Sequence, residues 1–295
     1  MFDFRYHALS LAAVLFALAL GVLIGVAIGD SNLVSSAKNG IVHSLDSEVD
    51  EAHKQAADLR ERLTAQEDFS KSLYPLAVHE LLNSRSIGLV FLGEPSNQVN
   101  ALVQAAITQA GGSLATVVAV REPVDLSGIE GEAAGTHYTP LSGFPETIER
   151  LGQLVGKQLV SGGPLVGKEL ISRVRSSLLS AFDGQLTHLE GLVVARSLPA
   201  DVDAEAAEAD GRLEDGLLAG VATVGVPAVG VELTSTQPSQ VPWFKARKIS
   251  SVDDLDTQAG QAALVYALAG DQGAFGVKPT ADSLLPAVAN SSGGG

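Results

Sequence analysis

From Ala8 to Gly29 the chain reads ALSLAAVLFALALGVLIGVAIG, with no charge, no proline and no side-chain amide, and with Ser10 as its only hydroxyl. At the helical rise, roughly 22 residues reach about 33 Å, enough for a hydrocarbon core of about 30 Å. A run so long and so uniformly apolar is not the stripe of an amphipathic helix on a globular core. It is expected to cross a membrane as residues 8–29, leaving 1–7 in the cytoplasm, because Arg5 precedes the span and Asp30 follows it. A cleaved leader is the alternative, with Ala27-Ile28-Gly29 as a small-x-small site. Leader apolar regions run about 7–15 residues, shorter than this one. Both fates export the remaining chain.

The same stretch places Ala13, Ala17, Gly21, Gly25 and Gly29 at every fourth position. Small residues at that spacing line one helix face and let two backbones approach closely in lipid. Self-association through this face is the expectation.

Beyond the span the composition is acidic, with a formal net charge of −15 over the whole chain. Such a balance does not fit a nucleic-acid partner, whose phosphates reward Lys and Arg. There are no cysteines, which excludes disulfides, iron–sulfur clusters and thiolate zinc sites. From Ser31 the sequence turns polar and helical. Val42, Leu45, Val49, Ala52, Ala56, Leu59 and Leu63 alternate in three- and four-residue steps, a heptad seam flanked by charges. Residues 31–74 are therefore expected to form a coiled-coil stalk, and a homodimer follows if the membrane helices pair as well. Gly40 costs about 1 kcal/mol of helix and predicts a kink or a late start. The other reading is a single helix packed on its own globular domain.

Residues 76–285 read as an α/β domain. Leu76–Asn83 is a short helix, and Ile87–Leu92, Leu114–Val120, Leu192–Ala195 and Ala228–Glu232 are apolar runs expected of strands buried on both faces. Helices are expected at Val99–Ala110 (capped by Ser96 or Asn97), Pro145–Leu159, Val166–Phe182, Asp203–Ala219 and Thr257–Ala269 (capped by Asp256). Arg121–Gly143 shows no clear element, Thr236–Arg247 reads as an exposed loop with the only tryptophan, and 286–295 as a disordered tail. The fold class is thus α/β: an N-terminal transmembrane helix, a coiled-coil stalk, and a Rossmann-like domain around a small parallel sheet.

Chemistry-bearing patterns are sparse. The first strand-to-helix turn, FLGEPSNQV, has one glycine, lacks GxGxxG and the P-loop pattern, and presents Glu94 where a phosphate would sit. The six histidines (His7, His43, His53, His79, His137, His188) share no HxH, HxxH or HxxxH spacing, and Met1 is the only methionine. Soft ligands for Cu(I) are therefore missing. The carboxylates Asp201, Asp203, Glu205, Glu208, Asp210, Glu214 and Asp215 lack a calcium-loop pattern and read as a solvated helix face. No GxSxG elbow occurs, and no catalytic or cofactor-binding residue is expected. Trp243 and Phe244, on a proline-flanked loop, and Asp253, Asp254 and Asp256 form a candidate partner surface.

Two stretches carry a resemblance. The opening Arg5-Tyr6-His7-Ala8-Leu9-Ser10-Leu11-Ala12-Ala13-Val14 and the late SSVDDLDTQAG (Ser250–Gly260) resemble the actinobacterial MctB family, whose late motif runs STVDNVDTPAGR. Asp254, Leu255 and Gln258 are among the departures from that pattern. The resemblance implies a copper-transport protein of the cell envelope, placed by the family name in the outer membrane. Copper enters only this way. A SteB-like branch of the resemblance implies instead a scaffold for cell separation, acting with a SteA-like partner that controls peptidoglycan hydrolysis. The residues themselves provide one helix, which does not enclose a pore, and no run of alternating, aromatic-girdled strands for a barrel.

Overall fold

The computed structural model describes residues 4–29, 31–135, 139, 144–162, 168–197 and 202–287. Met1–Glu67 and Asp68–Gly295 form two compact units. Residues 288–295 of the tail expected at 286–295, and with them His137, Asp201 and Asp30, lie outside the described residues.

The first unit is helical. Helix α1 spans Phe4–Ile28, and its Tyr6–Ala27 stretch is long and apolar enough to cross a membrane. Helix α2 runs Ser31–Ala77, unbroken at Gly40 and continuing through Pro75, so the separate helix expected at Leu76–Asn83 is a run of turns instead. On α2, Val42, Leu45, Val49, Leu59 and Leu63 are all exposed in the single chain. The register of the heptad seam is present on the helix; a stalk paired with another helix is not shown.

In the second unit the elements run β1 (Ser86–Leu92), α3 (Asn97–Gln109), β2 (Ser113–Val120), α4 (Leu126–Glu132), α5 (Pro145–Ser161) and α6 (Lys168–Leu178). They continue as β3 (Leu179–Gly184), β4 (Gly191–Arg196), α7 (Ala204–Ala222), β5 (Ala228–Val231), α8 (Val241–Ala246), β6 (Ser250–Val252), α9 (Gln258–Ala269) and β7 (Ala274–Phe275). The strands make one sheet in the order β3-β2-β1-β4-β5-β6-β7. All neighbours are parallel except β3, which runs antiparallel to β2.

The side-chain alternation of the central strands sorts the core into two layers. Val90, Leu92, Val118 and Val194 face α4–α8, while Leu89, Phe91, Val193 and Val231 face α3 and α9. Helices α5 and α7 meet backbone to backbone. A Cβ on Gly152 would lie 2.4 Å from Leu213 O, on Gly156 1.9 Å from Leu217 O, on Gly216 2.1 Å from Glu149 O and on Gly220 2.1 Å from Gln153 O. Two small-xxx-small pairs thus interlock inside the α/β body. By contrast, a Cβ on Gly21 or Gly25 of α1 would meet nothing within 4 Å.

The sheet is larger than expected, and mixed. The helix expected at Val166–Phe182 ends at Leu178, and the chain enters the edge strand β3. The expected loop at Thr236–Arg247 contains α8, with Pro242 in its first turn. A four-residue turn carries Thr257, not Asp256, to the cap of α9: Thr257 Oγ1 accepts from Gly260 N at 2.9 Å. Ser96 caps α3 and Asp203 caps α7 in the same way.

Candidate functional site

Between β1 and β4 the connections leave in opposite directions, the topology that in open α/β sheets places a ligand crevice at the carboxyl ends of the strands. Gly93 leaves β1 at φ +95°, and a Cβ there would lie 2.5 Å from Ser197 Oγ. Ser197 Oγ donates to Leu92 O (3.3 Å) and accepts from Glu94 N (2.9 Å), tying the β1 turn to the end of β4. In dinucleotide-binding sheets this is where a pyrophosphate meets a helix N-terminus. Here exposed Glu94 stands at the turn, and Glu122, Asp210 and Glu214 carry further carboxyls around it. An anion entering the crevice meets like charge.

The carboxyls are organised by Arg196, the last residue of β4. Its Nε donates to Glu214 Oε1 at 2.6 Å, its Nη2 to Glu214 Oε2 at 3.3 Å and its Nη1 to Gln240 Oε1 at 2.8 Å. This fork-to-fork pair is nearly removed from water, with side-chain exposures of 14% and 2%. Asp210 Oδ1 accepts from Val124 N at 2.7 Å. Burial, with the charges of Glu214 and Asp210, pushes the Glu122 carboxyl up to about 8. Burial raises the Glu214 carboxyl as well, against the opposing charge of its bonded Arg196; Glu122 keeps a proton near neutrality. Its Oε1 is shielded from solvent with no hydrogen-bond partner among the described residues. On the outer side, the Trp243 ring lies between two guanidinium groups, Arg247 Cζ at 3.9 Å and Arg196 Cζ at 4.7 Å from the ring centre. Arg247 Nε also pairs with Asp215 Oδ1 at 2.6 Å.

Next to this cluster the carboxyl ends of β5 and β6 are closed by the segment after β7. Lys278 Nζ donates to Glu232 Oε1 (2.7 Å), Leu233 O (2.9 Å) and Thr236 O (2.9 Å), using all three of its protons. Asp253 Oδ1 accepts from Val277 N at 2.8 Å, and both its oxygens take the Lys278 N–H. A Cβ on Gly276 would lie 2.0 Å from Asp253 Oδ1, so the clamp needs glycine there. Asp254 Oδ2 accepts from Thr257 Oγ1 at 2.9 Å, and Asp256 Oδ1 from Thr234 N and Oγ1, each at 2.8 Å. Asp253, Asp254, Asp256 and Thr257 of the late motif thereby hold the fold together, while Ser251 Oγ and Asp254 Oδ1 are buried without a hydrogen-bond partner among the described residues.

These placements revise the sequence expectations. Phe244, Asp253 and Asp254 are fully buried and offer no surface to a partner; Trp243 is half-buried, and only Asp256 is exposed. Within the acidic run, Glu205 and Glu208 face solvent, whereas Asp210 and Glu214 turn into the core. The apolar stripe of α7, with Leu213, Leu217 and Val221 in step with Asp210 and Glu214, carried that signal. Glu122, Arg196, Glu232, Gln240 and Lys278 were not singled out at all, since a buried ion pair between distant segments leaves no local pattern. His43 and His53 lie on α2, His79 in the turns after it and His188 before β4, all exposed. Among the described residues no three His, Cys, Asp or Glu converge as a metal-ligand set.

Over residues 1–286 the chain matches the family described as copper transport outer membrane protein, MctB. It is 26% identical over 290 residues to proteins named Copper transporter MctB from Mycobacterium tuberculosis (strain H37Rv) and Mycobacterium bovis, covering 91% of this chain and 92% of theirs. These matches support the copper branch of the resemblance and lend nothing to the cell-separation branch. With the apolar α1 at one end and the SSVDDLDTQAG clamp at the other, both inside the matched span, the chain belongs to the MctB family.

Proposed function

We propose that this chain is a single-pass envelope protein, anchored by α1 with its N-terminus in the cytoplasm and its α/β body outside, that serves copper transport. The observation that carries the reading is the match to a copper-transport family over residues 1–286. The length and apolar character of α1 support the anchor.

The chain's contribution is architectural rather than copper-chelating. Cu(I) prefers thiolate and thioether ligands, and the sequence holds no cysteine and a single methionine, Met1. The carboxyl edge of the sheet, where α/β proteins bind ligands, is filled by Arg196–Glu214 and Lys278–Glu232. No catalytic role is proposed. Two copies associate through the small-residue face of α1 and the exposed seam of α2, the membrane helix raising the effective concentration of a narrow seam.

A deletion strain tests this directly. It should be copper-sensitive, and the full chain should restore tolerance while residues 31–295 behind a cleavable leader should not. Restoration by the unanchored form would refute the anchor. Unchanged copper tolerance of the deletion strain would refute the copper role, and stoichiometric Cu(I) binding against a competing chelator would refute the architectural reading. Gly21→Ile with Gly25→Ile should weaken self-association in a membrane reporter, as should Leu45→Asp with Leu59→Asp.

A further inference from the structure

On the β3 side of the sheet the core is incompletely filled. A cavity of about 120 Å³ lies over Val90 and Val118 of the sheet, walled by Val155 and Leu159 of α5 and by Leu217 of α7. Those five apolar side chains are at most 7% exposed, and Gln158 and Ser172 add polar atoms to the lining. The mouth is different. Arg175, on α6, is exposed and stacks its guanidinium 3.9 Å from the centre of the Phe182 ring. Among the described residues it forms no ion pair with a carboxylate, so its guanidinium donors are open to a ligand.

An unfilled apolar space of this size is costly to leave inside a close-packed core. An engineered apolar cavity of about 150 Å³ stays dry and takes up benzene, so 120 Å³ suits an apolar group of about six carbons. Ligand sites pair such a lining with a few polar groups that fix orientation. Here the fixing group is a cation with unused donors, and a guanidinium recognises a carboxylate through two parallel hydrogen bonds.

We propose that this cavity binds the alkyl chain of a medium-chain monocarboxylate, about six to eight carbons long, with its carboxylate paired to Arg175. The chain enters between α6 and β3, and the head group stays at the surface beside Phe182. An alkyl chain there fills the void against Val118 and Leu217, and the charge of Arg175 gains the partner it lacks. The site is separate from the Arg196–Glu214 cluster and from any copper chemistry.

The test uses the full chain in phosphatidylcholine nanodiscs, titrated calorimetrically with octanoate and referenced to empty discs. Saturable one-to-one binding is expected above the empty-disc signal. Arg175→Gln, a surface change that leaves the core intact, should weaken octanoate about tenfold and leave octanol unaffected. Val155→Phe, which fills the cavity, should abolish binding of both, with folding verified by the Trp243 emission and the melting curve. Octanoate uptake equal to that of empty discs would overturn the site. Equal affinity for octanoate and octanol in the unmodified protein would overturn the role of Arg175, and so would an unchanged octanoate affinity in Arg175→Gln. Should Val155→Phe fail to fold, the Arg175→Gln and octanol comparisons still decide the matter.

Discussion

The crossing of α5 and α7 makes one substitution, glycine to alanine, change sign between two sites of one helix pair. In an exposed helix interior the change stabilises by about 1 kcal/mol, because alanine loses less backbone freedom. Gly211, in α7, is half-buried but leaves the room: an added Cβ finds nothing within 4 Å. At Gly156 the added Cβ would lie 1.9 Å from Leu217 O, so the backbones must separate by more than 1 Å to reach any observed contact distance. A gap of about 0.5–1 Å already forfeits a quarter to a half of each dispersion contact. The contacts at stake are those of Leu151, Val155 and Leu159 with Leu213, Leu217 and Val221, all buried in one cluster. Overpacking costs of this kind run about 1–3 kcal/mol, and at a rigid backbone–backbone crossing the upper end applies. After the helix-propensity gain, Gly156→Ala should lose about 2 kcal/mol, or roughly 4–8 °C in Tm for a body of this size. Gly211→Ala should gain about 0.5–1 kcal/mol. The assay is thermal unfolding of the full chain in detergent, followed by the fluorescence of Trp243, which packs against the same cluster as α5 and α7. A Gly156→Ala protein melting at or above the unmodified chain would refute the close crossing.

Two further perturbations address the carboxyl edge. Glu122 keeps its proton up to about pH 8 in the folded chain, whereas the unfolded chain releases it in the ordinary carboxylate range. Between those limits the folded state binds more protons, so stability should fall as pH rises, and Glu122→Gln should flatten that fall; parallel Tm–pH curves for the two proteins would contradict the assignment. Lys278→Met leaves Glu232, at 2% side-chain exposure, buried without its cation and should cost about 3–5 kcal/mol. Limited proteolysis should then cut first within residues 276–285, and a cleavage pattern like that of the unmodified chain would argue against the clamp.

Much of the frame was legible because the signals were local. Ile87–Leu92, Leu114–Val120, Leu192–Ala195 and Ala228–Glu232 are apolar runs, and they became β1, β2, β4 and β5. The strands that escaped had nothing local to show. β6 is the three residues Ser250–Val252 and β7 the two residues Ala274–Phe275, defined by their pairing alone. β3, with the sequence Leu-Ser-Ala-Phe-Asp-Gly, lacks any β-branched residue and follows a helix without a breaker.

The late motif shows why a distinctive run of acids need not be a surface. Asp253 and Asp254 sit where β6 stops, and a strand end at the carboxyl edge leaves backbone donors nearby that need acceptors. The N–H groups of Val277 and Lys278 are such donors, brought from a segment more than twenty residues later, so no spacing rule within Ser250–Gly260 could announce them. Glycine offered a clue of another kind. Gly260 would place a Cβ 2.0 Å from Asp254 O, and Gly276 one 2.0 Å from Asp253 Oδ1. An acid whose neighbours tolerate no Cβ is enclosed by backbone, and enclosure rather than exposure is what its charge then serves. The same reasoning separates the two sets of spaced glycines. Those of α5 and α7 are already met by a facing backbone. Those of α1 face open space in the single chain, so a second copy is what would give their spacing a physical use.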